Sequence, residues 1–140
     1  MQNYQVRRLL PEQHSALAQF YKRNQYKGKV KESDKIWVLT QIDGHVVAAV
    51  RLCQQAGFTM LRGVWVERGV RAKGLGSQLL RHLQSSGELH GCYCFPYLHL
   101  ERFYAKHGFQ RVEQVPVALQ PIFERYNRKS AQVLLMTQQA

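Results

Sequence analysis

The sequence predicts an α/β (α+β) fold, with a mixed, mostly antiparallel sheet of about six to seven strands flanked by helices. Three observations predict it. Between Ile36 and Glu67, three β-rich apolar runs are separated by two glycine turns, Asp43-Gly44 and Ala56-Gly57. After residue 73 the pattern changes to helical spacing that alternates with short apolar runs. The chain has 140 residues of which 45% are hydrophobic, enough for one domain, 1–140, with a core of its own.

Residues 3–10 form a weakly alternating first strand. Pro11 and Glu12 then open a helix, since proline suits the first helical position and an acid suits the first turn. Ala16, Leu17, Phe20 and Tyr21 continue it to about residue 23. Residues 24–34 are polar and read as a loop with a helical turn. Ile36 to Ile42 is the second strand, Asp43-Gly44 a two-residue hairpin turn, and His45 to Leu52 the third strand. Phe58 to Glu67 completes an antiparallel meander. Gly69 to Lys73 is a loop, followed by a helix from Gly74 to Ser86 whose buried face carries Leu75, Leu79, Leu80 and Leu83. Gly91 to Phe95 is a short strand stopped by Pro96, and Tyr97 to His107 a helix. Gly108 stands where a left-handed cap is wanted. Phe109 to Val117, a helix from Pro121 to Tyr126, and a strand from Ala131 to Met136 close the order.

The net charge of +11 calls for an anionic partner but does not choose among nucleic acid, membrane surface and a polyphosphate ligand. No nucleic-acid-binding motif accompanies it. The first eight residues lack an apolar core, and no run approaches the length of a membrane span, so the expectation is a cytoplasmic protein without membrane contact. The three cysteines, Cys53, Cys92 and Cys94, read as reduced thiols. Neither a Cys-x-x-Cys pair nor a spaced histidine pair supports a metal site.

The chemistry concentrates at Arg71-Ala72-Lys73-Gly74-Leu75-Gly76, between a strand and a helix. Helix N-termini present free N–H groups and partial positive charge, and glycine lets a backbone approach a phosphate closely. Leu79 stands where a dinucleotide fingerprint needs its third glycine, and Lys73 precedes the glycines rather than following them as in a P-loop. By itself the motif is either a phosphate site or a tight turn.

The run from Val64 to Leu80 resembles the cofactor motif of the GNAT superfamily of acyl-CoA N-acyltransferases. The run Leu100-Glu101-Arg102-Phe103-Tyr104-Ala105-Lys106-His107-Gly108-Phe109 resembles that family's Phe-Tyr-x-x-x-Gly-Phe signature. The resemblance covers about residues 61–112. It implies a sheet whose two parallel strands splay apart around acetyl-CoA. The strand Val64, Trp65 and Val66 would pair with the pantetheine arm. The backbone of Arg71, Ala72, Lys73, Gly74, Leu75, Gly76 and Ser77 would wrap the pyrophosphate, and Tyr104 would protonate the departing thiolate.

Many members carry a strand glutamate as base, often acting through water. Here Arg62 and Gly63 fill the preceding positions, and Glu67 is the nearest acid, either base or surface charge. His99 is a second candidate, and Tyr97 stands where many members place a cofactor-binding asparagine. Tyr104 can be read as a core aromatic as well as an acid. The implied function is transfer of an acetyl or short acyl group to a primary amine on a small molecule or peptide, by direct attack in a ternary complex. The alternative is a non-catalytic acyl-CoA-binding regulatory module. Residues 21–35, the hairpin, and residues 116–130 should border the acceptor, the last also offering a lid or homodimer contact through Phe123, Arg125, Tyr126 and Arg128.

Overall fold

A computed structural model describes residues 3–128 and 132–138. The strands are β1 (Gln5–Leu9), β2 (Lys35–Thr40), β3 (Val46–Gln55), β4 (Phe58–Val66), β5 (Tyr93–Cys94), β6 (Phe109–Arg111) and β7 (Met136–Gln138). The helices are α1 (His14–Arg23), α2 (Leu75–Ser85), α3 (Glu101–Ala105) and α4 (Gln120–Arg128). One sheet joins all seven strands in the order β1-β2-β3-β4-β5-β7-β6. Its one parallel pair among the described strands is β4–β5, which meets only at Met60↔Tyr93. The expected mixed, mostly antiparallel sheet flanked by helices is the observed one.

Alternation along β2 and β3 assigns the layers, because successive side chains leave opposite faces. Ile36, Val38 and Ala49 pack with Leu17, Phe20 and Tyr21 of α1. Trp37, Leu39, Ala48 and Val50 pack with Leu75, Leu79, Leu80 and Leu83 of α2. Cys53 and Met60 meet Leu119, Ile122 and Phe123 at the start of α4. Both faces of the central strands are therefore covered, which is why β2 and β3 read as near-continuous apolar runs.

The structure moves several boundaries. At the first hairpin Gly44 N donates to Gln41 O at 2.9 Å and Gln41 N to His45 O at 2.9 Å. Gly44 has φ 87 and Asp43 has negative φ, so Ile42 and Asp43 form the turn and Gly44 is the left-handed residue after it. The second hairpin does carry two positive-φ residues, Ala56 and Gly57. Residues 24–34 contain turns and no helical turn. The segment after Pro96 begins as a 3-10 turn, Leu98–Leu100, and becomes helical only over Glu101–Ala105. The strand expected to reach Val117 pairs only to Arg111, and Pro116 leads into a 3-10 turn that runs into α4.

The last strand lies later than expected, at Met136–Gln138. Its upstream part makes only a single bridge, Tyr97↔Val133, because Pro96 has no N–H with which to extend the β5 ladder. Ala131, the expected start of that strand, and residues 129–130 of the C-terminal segment lie outside the described residues. No described helix is long and apolar enough to cross a membrane.

Candidate active site at the β4–β5 splay

Beyond Met60↔Tyr93, β4 runs on to Val66 while β5 stops at Cys94. The gap between them opens into a cavity of about 710 Å³, a volume in the range of small-molecule sites. Its lining comes from both faces of the sheet. Tyr26 and Arg51 come from the α1 side, Leu100 and Tyr104 from the α3 side, and Val64 and Trp65 from β4 itself.

A bulge shapes the β4 wall. The register passes from Ala49↔Trp65 to Arg51↔Arg62, two steps on β3 against three on β4. Gly63 has φ 63, and a Cβ there would collide with the Tyr21 hydroxyl. That hydroxyl donates to Gly63 O at 2.9 Å, so α1 holds the bulge in place. A bulge leaves one residue out of the ladder and re-aims its neighbours. The isolated glycine inside a strand pattern was the available sequence signal for it. Tyr21 and its bond to β4 carried no such signal.

Tyr104 is 8% exposed and lines the cavity. Its ring meets Phe103 and Phe109 edge-on, at 5.1 and 5.7 Å between centroids. Its hydroxyl has no hydrogen-bond partner among the described residues, unlike that of Tyr21. Burial, with smaller contributions from Cys94 and Tyr26, pushes its pKa well above the ordinary phenol value, so the group stays protonated.

Past Val66, the Arg71–Gly74 loop is exposed and leads into the buried first turn of α2. Ala72 and Gly74 have φ 71 and 73, and Gly74 caps the helix in the left-handed region. The amides of Leu75, Gly76 and Ser77 have no partner inside the helix and point from its positive end. Gly76 faces inward, where a Cβ would lie 3.4 Å from Phe103 and 3.6 Å from Val66. Ser77 Oγ lies 3.0 Å from His107 Nε2, tying α2 to the end of α3. Burial, then Lys106 and Arg81, lower the His107 pKa, so this contact is made by a neutral ring.

The structure does not gather all the expected site residues in one place. Val64, Trp65 and Tyr104 line the cavity, whereas Val66, the last residue of β4, and the stretch Arg71–Ser77 beyond it lie outside the lining. Arg71 turns back onto β4, its Nε donating to Val66 O at 2.9 Å and its guanidinium 5.0 Å over Trp65. Glu67 lies past the strand end, outside the cavity lining. Its two oxygens meet Arg23 Nε at 3.0 Å and His45 Nε2 at 2.9 Å. Burial works to raise its pKa, but the bonds from His45 and Arg23 outweigh it and hold the carboxyl below the usual carboxylate range. His99 stacks on the half-exposed Tyr97 with ring centroids 6.0 Å apart. From the C-terminal segment, Tyr126 reaches the cavity wall.

A mixed sheet that splays at one parallel pair beside a glycine-led helix start belongs to the class of GNAT-like α/β folds. The acetyltransferase (GNAT) domain model matches residues 32–111, more than half of the chain, and the chain belongs to that family. No curated protein matches the sequence. Among solved structures the chain is similar to an acetyltransferase of the GNAT family from Staphylococcus aureus MU50, at 12% identity and TM-score 0.64, covering 97% of this chain and 98% of that one. It is also similar to Escherichia coli ElaA, at 18% identity and TM-score 0.65, covering 99% and 100%. A third is Mycobacterium tuberculosis Rv2747, solved in complex with CoA, at 19% identity and TM-score 0.62, covering 95% and 98%. At these identities the likeness is one of fold.

Proposed function

We propose that this chain is an N-acyltransferase that moves an acetyl or short acyl group from acetyl-CoA to a primary amine by direct attack in a ternary complex. The observation that carries this reading is the unbonded, protonated Tyr104 hydroxyl in a cavity opened by the splay of β4 from β5.

The residues present fit such a donor. Beyond Leu61, β4 has no β5 partner, so Val64, Trp65 and Val66 are the stretch proposed to pair with the amide-bearing pantetheine arm, Arg71 Nε giving up its bond to Val66 O where the arm needs that carbonyl. Trp65 Nε1 is buried without a partner on the same stretch. The amides at the start of α2, with Arg71, Ala72, Lys73, Gly74, Leu75, Gly76 and Ser77 around them, suit a pyrophosphate. The similar fold of Rv2747 holds CoA.

The chemistry follows from these places. The amine nitrogen bonds to the thioester carbonyl carbon, and the negative charge that develops on oxygen needs preorganised N–H donors. The bulge at Gly63–Val64 frees backbone from the ladder beside the gap and is the candidate for that role. As the C–S bond breaks, Tyr104 donates its proton to the sulfur. Glu67 is the acid proposed to receive the amine proton, and its two oxygens are held by Arg23 and His45.

Two cysteines, Cys53 and Cys94, line the cavity, and burial raises both thiol pKa values. They are held as thiols and are poor nucleophiles, which favours direct attack over an acyl-cysteine route. All three cysteines are free and buried, in keeping with a reducing, cytoplasmic setting.

Tyr104→Phe tests the assignment. It should lower kcat by about 100-fold, the usual scale of general-acid catalysis. The acetyl-CoA Kd, measured by calorimetry, should stay within about twofold, because the removed hydroxyl acts in the transition state and not in binding. A mutant at full speed would remove the hydroxyl from the mechanism. The clamped Glu67 favours the second reading, a non-catalytic acyl-CoA-binding regulatory module. Acetyl-CoA binding without CoA release across an amine panel would decide for it.

A further inference from the structure

The cavity holds more positive charge than its surroundings neutralise. Arg51 and Arg62 are register partners on β3 and β4, so both side chains leave the same face of the sheet. Like charges directly opposite one another destabilise a sheet. Arg51 is 6% exposed, and its Nη1 reaches Asp34 Oδ2 at 3.3 Å. Arg62 has no carboxylate partner among the described residues. Its Nη2 donates to Gln55 Oε1 at 2.6 Å, and its guanidinium lies 5.8 Å over the Tyr126 ring. The Nε atoms of both arginines are buried without a hydrogen-bond partner. Lys27, Lys29 and Lys31 line the same cavity from the α1–β2 loop, and Asp34 is the only acid among its lining residues.

Buried cations are costly unless paired. The proposed phosphate-binding residues, Arg71 to Ser77, do not line this cavity, so the excess is not placed to neutralise a pyrophosphate there. It lies beside the Gly63–Val64 bulge, since Arg62 is the residue before Gly63.

Resting on the acyltransfer reading, we propose that the acceptor is an amine carrying an oxyanion, carboxylate or phosphate, a few bonds from its nitrogen. Arg62 and Arg51 receive the oxyanion, and the three lysines draw the acceptor in. Arginine is suited to this because its planar fork matches both oxyanions with two parallel hydrogen bonds.

The test uses matched amines: phenylalanine against phenethylamine, and O-phosphoethanolamine against ethanolamine, with CoA release as readout. The oxyanion-bearing member of at least one pair should have a kcat/KM about tenfold or more above the partner that lacks it, and which pair responds separates carboxylate from phosphate. Arg62→Gln should bring that ratio toward one through a raised KM, with the acetyl-CoA Kd unchanged, and Arg62→Lys should restore part of it. Equal or reversed preference in both pairs overturns the proposal, as does a ratio that survives Arg62→Gln. Should no amine release CoA while acetyl-CoA still binds, the acyltransfer reading fails on its own. Calorimetry with N-acetylphenylalanine and O-phosphoethanolamine then decides the cavity. Binding of either that is lost in Arg62→Gln supports the oxyanion site, and no binding of either rules it out.

Discussion

Among the tyrosines near the β4 bulge or the cavity, Tyr21 and Tyr104 use their hydroxyls differently. Tyr21 spends its proton on Gly63 O and acts as a structural tie. Tyr104 keeps its proton free beside the cavity. Sequence spacing could nominate Tyr104 through the Phe103-Tyr104 pair, but it could not tell a tied hydroxyl from a free one. Glu67 shows the same limit, because its clamp is built from α1 and the residue after the first hairpin turn. Its depressed pKa carries a sign. The carboxylate's contribution to stability is fully present above its unfolded pKa and is lost as pH falls through the lower folded value. Glu67→Gln should therefore lower stability at neutral pH by about 1 kcal/mol, an ordinary value for a partly exposed charge pair. Thermal unfolding of both proteins from neutral to acid pH should show the gap closing once the native carboxyl is protonated. A gap that stays constant down the acid limb would mean that the clamp contributes nothing as an ion pair.

Elements account for three glycines, Gly76, Gly74 and Gly63. A large side chain at Gly76 would test helix packing and not the loop, because its Cβ position faces Phe103 and Val66. Gly74 is the better probe. It has φ 73 and open space around its Cβ position, on the outer side of the helix start. Gly74→Val should reduce acetyl-CoA affinity by at least about tenfold, since a β-branched residue is strained in the left-handed region and α2's first amides would be re-aimed. Unchanged affinity by calorimetry would free the loop of any phosphate role. Gly63→Ala probes the bulge. The Cβ must displace Tyr21 at a position with φ 63. A loss of about 1–3 kcal/mol in unfolding free energy is expected from backbone strain alone, together with lower kcat. Wild-type stability and rate would show that β4 tolerates another register.

At the scale of the whole molecule, the +11 charge should steer an anionic donor toward the protein. Its affinity should weaken several-fold as salt rises from about 50 to about 500 mM, where exposed charges are screened. A flat salt profile would separate the surface charge from donor binding. The meander, α2 and the glycine start of α2 were legible in the sequence because each rests on local rules: alternation, 3.6-residue periodicity and turn glycines. The ends of β6, β7 and α3 were not, because they are set by partners that lie far along the chain, β7 pairing with both β5 and β6. By itself the sequence determined the order of elements, the family resemblance and the residues capable of binding phosphate or donating a proton. Only the tertiary structure decided that β4 parts from β5 after a single residue pair, that Tyr104 is free while Glu67 is clamped, and that Arg51 and Arg62 face one cavity whose lining holds a single acid, Asp34. Burial, register and partner choice are set by groups brought together from distant parts of the chain, and no local pattern encodes them.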